Sequence, residues 1–591
     1  MCGIVGYVGS RQAKTVLLGM MLRLEYRGYD SCGLATVETG VNLVKAATRV
    51  QDLADRGMEM PGTYGIGHTR WASVGTVTQE NAHPFMACDQ AVVIAHNGNI
   101  KNFAELKKRL ENSGHQFSSQ TDSEVIAHLT EEYYQGDLVD ALGKAVKELD
   151  GPFAVIALHP DNRRLVAAVN GCPIVIGLGE GENWLASDVP ALLEYTGRVI
   201  HLEDGDIAAV EADSVKIYAK GRLVSRANQT IGWAPEAVAR AGYQHLMLKE
   251  IHEQPRIIRN IIQRKQSAWL PGDSFGETTC GVLLIGCGSS YHACLAGKIL
   301  IERLSGIQAN AELATELFDV TGSTRRYRAV IGLSQSGETA DTCAALDRQR
   351  QAGFYTVAVS NVPGSRITRL AEQTILTDAG PEMSVAATKS FTAQLVTLLN
   401  MGLALPLKEP KRALDLTGEL RALPARLQRI LDREDAHASA ARWLASFKNI
   451  ICIGRGIFLP IALECALKLK EITYIHAEGC AAGELKHGTL ALLSPVTPVI
   501  AFMGTDETRA QMLTAIREVK ARGVPVLAIA PEGEEDLEDL ADRVILLPRT
   551  DPLLQPVLAA AAAQMLAYHA ALSLNLPIDN PRNLAKSVTV E

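Results

Sequence analysis

Apolar and polar positions fall into two regimes along the chain. Up to about residue 215 the apolar runs are short and bounded by turn residues, as at Val92–Ala95 and Ala154–Leu158, which predicts many short strands. Two or three helices interrupt them, one over Asp122–Glu132, where apolar residues recur at helical spacing. The stretch Ala219–Gly242 loses this regularity and reads as a connector. From about Cys280 the rhythm becomes strand, glycine turn and helix, several times over, which predicts parallel α/β layers. Two apolar stretches, Ser390–Leu407 and Val557–Leu576, approach the length of a membrane span. Interior polar residues, Gln394 and Asn400 in one and Gln564 and His569 in the other, mark both as buried helices instead.

The second regime repeats itself. Gly281–Glu302 aligns with Asn449–Lys470, Ala329–Thr339 with Pro498–Thr508, and Ala352–Ser360 with Arg522–Ala530. The aligned residues lie 168, 169 and 170 positions apart, judged at Gly286/Gly454, Thr339/Thr508 and Gly353/Gly523. The copies differ where a ligand would sit. Copy one has Ser334-Gln335-Ser336-Gly337-Glu338-Thr339 between an apolar strand and a helix, an anion cradle of hydroxyls and free backbone N–H groups suited to a phosphate monoester. A second hydroxyl pair, Ser289 and Ser290, follows another strand. Copy two has Met503-Gly504-Thr505-Asp506-Glu507-Thr508, where Asp506 would repel phosphate.

With 591 residues the chain exceeds one hydrophobic core, so two to four domains are expected. Its 47% hydrophobic and 21% charged residues are ordinary for a globular protein. A net charge of −8 gives no general attraction to nucleic acid, so an anionic ligand needs a local site. The 11 cysteines show no C-x-x-C pair of a zinc site and no even framework, so reduced thiols in the cytoplasm are expected. The start Met-Cys-Gly-Ile-Val-Gly lacks the basic region of a signal peptide.

Once Met1 is removed, Cys2 carries a thiol and an α-amine on one residue. An α-amine titrates near pH 8 and can serve as base for the thiol. His68-Thr69-Arg70-Trp71 offers a guanidinium for a carboxylate, and Asn97 and Gly98 offer a side-chain and a backbone N–H for an oxyanion. Asp122 fits two roles, partner of a substrate amine or cap of the helix that follows.

Together these residues resemble the class II glutamine amidotransferases, and among them the family that aminates fructose 6-phosphate. The matching segments span the chain: CGIVGYVG, LEYRGYDS, GHTRWA, NAHP, HNGNI, TDSE and KEIHEQP, then CGSSY, LSQSGETADT, ALKLKEITYIHAE, AAGELKHG and the terminal PRNLAKSVTVE. The resemblance implies an α/β architecture: an N-terminal four-layer αββα Ntn-hydrolase glutaminase at 2–218, a linker at 219–242, and two doubly wound parallel-sheet sugar isomerase (SIS) domains at 243–425 and 438–578. The first SIS domain would bind phosphate, and 579–591 would form a C-terminal active-site tail.

The same resemblance implies roles. Cys2 would be the nucleophile, with Asn97 and Gly98 as oxyanion hole. Arg70, Ser73, Asp122 and Gly98 would bind L-glutamine, Tyr29 would close over it, and Trp71 would gate an ammonia channel, although by sequence alone Trp71 reads as a packed aromatic. Ser289, Ser290, Ser334, Gln335, Ser336, Thr339, Val385, Lys468 and Ala585 would bind fructose 6-phosphate. Glu471 would move a proton between C1 and C2. Glu464, Lys468 and Glu471 share one helical face, which without the resemblance reads as a solvated salt-bridge ladder. His487 would open the sugar ring of a neighbouring subunit in a homodimer formed through the SIS domains. Lys586 would form a Schiff base, where bare sequence suggests a solvated tail. The products would be glucosamine 6-phosphate and glutamate, the first step toward UDP-N-acetylglucosamine, with no metal, cofactor, nucleic acid or membrane involved.

Two departures keep a second reading open. After His-Thr the family reads R-W-A-T-H-G, whereas here Arg70-Trp71-Ala72-Ser73-Val74-Gly75 loses a polar side chain at Val74. Val-Ala-Ser-Thr-Lys becomes Val385-Ala386-Ala387-Thr388-Lys389, losing a hydroxyl at Ala387. The alternative is a paralogue that aminates or deaminates another keto-sugar phosphate, partly with free ammonia. A non-catalytic sugar-phosphate sensor would lack Cys2 and Lys586, and both are present.

Overall fold

A computed structural model describes residues 2–264, 281–317, 327–537 and 539–589; the last two residues of the expected tail lie outside them. The chain forms two compact units. One runs through Val238 and includes Glu338–Ala340 and the tail from Ala585; the other holds Ala239–Gly337 and Asp341–Leu584.

In the first unit, strand Gly3–Val8 lies at the middle of an eight-stranded sheet, antiparallel to Asn183–Ala186 on one side and to Tyr64–Arg70 on the other. A seven-stranded sheet holds Val93–Gly98, Phe153–His159 and Asn162–Asn170 as antiparallel neighbours. Its strands read as continuous apolar runs because both of its faces are buried. Val93, Ala95 and Ile156 face the other sheet with Ile4 and Ile66. The intervening Ile94, Val155 and Ala157 face Leu106, Val125 and Leu142 on helices Phe103–Asn112, Glu124–Tyr133 and Leu138–Ala145. Helix Ala13–Leu22 packs on strands Gly3–Val8 and Tyr64–Arg70, completing an α-β-β-α stack.

Two boundaries differ from the sequence reading. The expected connector 219–242 supplies edge strands to both sheets, Arg222–Val224 and Gln229–Thr230, so the sheets continue past residue 218. The helix expected over Asp122–Glu132 runs over Glu124–Tyr133 with Ser123 at its cap position. Asp122 is therefore not the cap; its carboxylate accepts the Ile100 N–H at 2.8 Å.

The second unit contains two five-stranded parallel sheets with one topology. In the first, the strands in chain order are Gly281–Gly286, Ala309–Leu313, Tyr327–Ser334, Tyr355–Ser360 and Gln373–Leu376. In the second they are Asn449–Gly454, His476–Ala481, Val499–Phe502, Val526–Pro531 and Arg543–Leu547. Both sheets place the second strand outside the first and continue third, fourth, fifth on the other side. The sequence repeat is thus a repeat of fold, and each sheet has its switch point between first and third strands, where ligands of such folds bind.

The two apolar stretches form helices Lys389–Ala404 and Gln555–Ser573, buried in one core shared by both sheets. Gln394 donates to Ser290 Oγ at 3.0 Å and Gln564 accepts from Gln254 at 2.6 Å, whereas Asn400 Nδ2 and His569 Nε2 are buried without a hydrogen bond among the described residues. Among the described residues no helix is long and apolar enough to cross a membrane.

Candidate active sites

Cys2 immediately precedes the central strand Gly3–Val8, and its Sγ lies against the chain at Trp71: the Trp71 N–H donates to it at 3.2 Å. Burial pushes the thiol up, outweighing the opposite pull of the amino terminus and of Arg70, so the thiol needs a base to become a nucleophile. A small cleft opens at Cys2 and brings Arg70, Trp71, Ser73, Gly98 and Asp122 together around it. Asn97 donates its amide to the Cys2 carbonyl at 2.9 Å and accepts with Oδ1 from His68 at 3.1 Å, which fixes its orientation. Gly98 ends its strand at φ +143°, and a Cβ there would lie 2.1 Å from the Pro152 carbonyl, so only glycine presents its backbone to the cleft.

Arg70 is 2% exposed, and its guanidinium donates to the carbonyls of Val74, Gly75 and Thr76 at 2.6, 3.0 and 3.1 Å. Burial pulls its pKa down, against the pull of Cys2, Asp30 and Asp122. Such a desolvated cation favours an anionic partner. Val74 lines the cleft and contributes its carbonyl to Arg70, which any residue supplies.

Three histidines at the cleft and behind it carry no role in the sequence reading. His68 stacks on His83 at 4.0 Å between ring centroids, and His96 bonds Ser123 Oγ at 2.8 Å. Burial holds all three neutral: it drives His68 down to about 3, His83 well below its ordinary value, and His96 also downward. His83 and His96 line the cleft. The signal was visible in His68-Thr69, Ala82-His83-Pro84 and His96-Asn97, each beside a residue of the site or at its strand.

The cradle of copy one forms after strand Tyr327–Ser334. Ser334 Oγ accepts the Gly337 N–H at 3.0 Å, and Gly337 sits at φ +69°, where a Cβ would lie 1.9 Å from Ser365 Oγ. Gln335, Ser336 and Thr339 are half-buried, and helix Ala340–Gln351 follows. In copy two, Asp506 takes the corresponding place and accepts from the Thr508 N–H at 3.0 Å and hydroxyl at 2.6 Å, so a carboxylate already fills that helix start.

Ser289 and Ser290 open helix Ser289–Ser305. Ser289 Oγ donates to Glu464 at 2.8 Å and accepts from Lys468 at 3.2 Å, while Ser290 accepts from Gln394. Helix Leu459–Thr473 presents Glu464, Lys468 and Glu471 to this spot, with Lys468 Nζ 3.3 Å from Glu464 and 2.6 Å from Glu471. These side chains are 1%, 1% and 19% exposed, so the face is a buried charge cluster and not a solvated ladder. Burial opposes the Lys468 charge, yet Glu464 and Glu471 outweigh it and hold the ammonium above its ordinary range. Burial likewise opposes ionised Glu464, and Lys468 and His292 outweigh it.

Val385 donates its N–H to the Asp579 carbonyl at 3.0 Å, on a loop whose backbone is held by the buried carboxylates of Glu250 and Glu382. His487 ends the short helix Ala482–His487 and is exposed. Ala585 and Lys586 are half-buried, Ser587 and Thr589 are buried, and Val588 accepts the Ala340 N–H at 3.0 Å, so the tail is packed rather than frayed.

A cysteine cleft in an αββα unit, followed by twin parallel sheets with one hydroxyl cradle, defines a glutamine amidotransferase joined to paired sugar isomerase domains. Family models agree: the glutamine amidotransferase domain matches residues 68–194, and the SIS domain matches 281–403 and 444–574. Isomerising glutamine–fructose-6-phosphate aminotransferases of Caldanaerobacter subterraneus subsp. tengcongensis, Thermus thermophilus and Aquifex aeolicus are 41%, 42% and 43% identical to this chain, each over the full length of both proteins. The C-terminal domain of glucosamine-fructose-6-phosphate aminotransferase from Francisella tularensis is 32% identical in sequence, with a TM-score of 0.54, and covers 58% of this chain and 100% of that one. Tagatose-6-phosphate ketose/aldose isomerase from Escherichia coli shares the fold of this half at a TM-score of 0.51 and 20% identity, covering 58% of this chain and 96% of its own. The chain belongs to the isomerising glutamine–fructose-6-phosphate aminotransferase family.

Proposed function

We propose that the chain transfers the amide nitrogen of L-glutamine to fructose 6-phosphate and isomerises the product to glucosamine 6-phosphate, releasing glutamate at the entry to amino-sugar synthesis. The observation that carries the glutaminase half is the gathering of Cys2, Arg70, Gly98 and Asp122 around one cleft. In this reading the freed α-amine of Cys2 takes the thiol proton, and the thiolate attacks the glutamine amide. The Gly98 N–H and an Asn97 amide proton stabilise the tetrahedral oxyanion. Ammonia leaves, water hydrolyses the thioester, and Arg70 and Asp122 hold the substrate's carboxylate and amine throughout.

At the isomerase, Ser334, Gln335, Ser336 and Thr339 hold the phosphate, with Ser289, Ser290, Val385 and Ala585 around the sugar and Lys468 fixing the charge at Glu471. Lys586 forms the imine at C2; ammonia displaces it, and Glu471 carries a proton from C1 to C2. The half-buried, packed tail supports a lysine held in a fixed place rather than in a frayed end. Exposure of His487 supports its delivery to a second copy, in a homodimer. Trp71, beside Cys2, is the proposed gate of a shielded ammonia path. The reaction is assigned to the cytoplasm, where the cysteines remain thiols.

The test is a product assay with amide-labelled glutamine and a panel of keto-sugar phosphates. The expected outcome is labelled glucosamine 6-phosphate from fructose 6-phosphate, abolished by Cys2→Ala while ammonia-dependent amination continues. Unlabelled product from every sugar would overturn the reading.

A further inference from the structure

The glutaminase unit contains a second polar constellation, separate from the cleft. Cys88 sits in the turn between strands Phe85–Met86 and Val93–Gly98, His115 follows helix Phe103–Asn112, and His128 and Glu131 lie three residues apart on helix Glu124–Tyr133. One donor atom from each of the four lies within 4.8 Å of all the others. We propose that these four residues bind a zinc ion.

The spacings are those of a coordination sphere. Tetrahedral zinc with bonds of about 2.0–2.3 Å puts neighbouring donors roughly 3.3–3.6 Å apart. Here Cys88 Sγ lies 3.6 Å from His128 Nδ1, Glu131 Oε2 lies 3.5 Å from the same nitrogen, and His115 Nδ1 lies 3.0 Å from Glu131 Oε2. His115 Nδ1 and Glu131 Oε2 are both buried, yet neither makes a hydrogen bond with suitable angles, even with the other. A buried imidazole nitrogen and carboxylate oxygen this close, without a well-angled hydrogen bond, are placed to take one cation as shared ligands.

Surrounding groups orient the donors as outer-shell partners do. The Gln116 N–H donates to Cys88 Sγ at 3.3 Å, and the Asp89 N–H donates to the other Glu131 oxygen. His128 Nε2, on the far side of its ring, lies 3.8 Å from the Glu124 carboxylate, giving a carboxylate–imidazole–metal order. The His128 side chain is 1% exposed and packs against Phe117, while Cys88 is exposed and leaves an entry path. One thiolate, two imidazoles and one carboxylate suit zinc, and four protein donors close the site, so its role is structural. On binding, the Cys88 thiol gives up its proton to water. The ion would tie the Cys88 turn and the His115 loop to the helix that begins just after Asp122 and Ser123.

Sequence spacing does not reveal this cluster, because its donors come from three separate elements and lack a C-x-x-C pair. The test uses the full chain, stripped with a chelator, passed through a desalting column and titrated with cobalt and then zinc. One cobalt per chain should give tetrahedral ligand-field bands and a thiolate charge-transfer band, both erased by one equivalent of zinc. Cys88→Ser should remove the charge-transfer band, Cys2→Ala should retain it, and His115→Asn should weaken zinc binding at least tenfold. One equivalent of zinc should raise the thermal midpoint of the unmodified chain and leave that of Cys88→Ser unmoved. Failure to retain zinc or cobalt after desalting, or a charge-transfer band that survives Cys88→Ser, would overturn the proposal.

Discussion

Arg70, proposed to bind the carboxylate of glutamine, has its guanidinium positioned by the protein itself. Three carbonyls of one loop hold its guanidinium in a fixed plane, and none of them carries a full negative charge. Arg70→Lys keeps the charge but cannot span three acceptors with one ammonium. It should lower kcat/KM for glutamine by about tenfold to a hundredfold, the equivalent of the 1.5–3 kcal/mol of charge-assisted hydrogen bonds. The ammonia-dependent rate, measured in parallel, should stay unchanged. Val74→Ala should change KM for glutamine by about twofold or less, because the Val74 carbonyl that anchors Arg70 survives the substitution. Candidate roles for Cys2, Arg70 and Gly98 can be read from sequence because residue type alone limits what each can do, and the structure brings the three to one cleft. The choice between two roles for Asp122 was not, since it turned on where a helix begins, the least legible feature of an element. Nor was the loss at Val74 interpretable, because a backbone contact leaves no mark on residue type.

Elements impose their own terms on these residues. Strand Tyr64–Arg70 carries His68 and strand Val93–Gly98 carries His96 into a buried layer with His83, and the layer stays neutral at the cost of excluding protons. In the unfolded chain each imidazole takes a proton near pH 6.5, whereas folded His68 resists until about 3. Below pH 6.5 the unfolded state therefore binds more protons, so their contribution is complete above that pH and is lost progressively as pH falls toward 3. Thermal midpoints between pH 8 and 4 should be flat at first and then fall, and His83→Gln should make the fall shallower. Helix Leu459–Thr473 sets the opposite problem, a buried cation between carboxylates. Lys468→Met would leave Glu464 and Glu471 without it and should cost about 3–5 kcal/mol, read as a lower midpoint of denaturant unfolding. Here the sequence pattern misled. Spacing i, i+4, i+7 describes a face, and only the packing of Ser289 and His292 against Glu464 reveals that this face is inside. The repeated strands and the two apolar helices were legible, because periodicity and the spacing of glycines survive divergence.

At the scale of the whole molecule the repeat explains a division of labour. Copy one carries the hydroxyl loop Ser334–Thr339, whereas in copy two Asp506 stands at the same place and bonds Thr508; Glu471 and His487, both in copy two, are the residues proposed for the proton steps. Glu471 turns into its own unit's cluster, but His487 is exposed at the end of a short helix. On the proposed reading, a ring-opening residue that is exposed in its own chain would act where another copy covers it, as a C2 dimer would allow reciprocally. The arrangement has a countable consequence. His487→Ala and Lys586→Ala should each abolish glucosamine 6-phosphate formation in a dimer of identical chains, while both retain glutamine hydrolysis at Cys2. When the two variants are unfolded together and refolded at equal amounts, about half of the dimers should be mixed, and each mixed dimer rebuilds one of its two sites. Activity should then return to about a quarter of the unmodified level. Recovery near that value requires His487 of one chain to serve Lys586 of the other. If both residues served the same chain, every site in the mixture would lack one of them, and no activity would return.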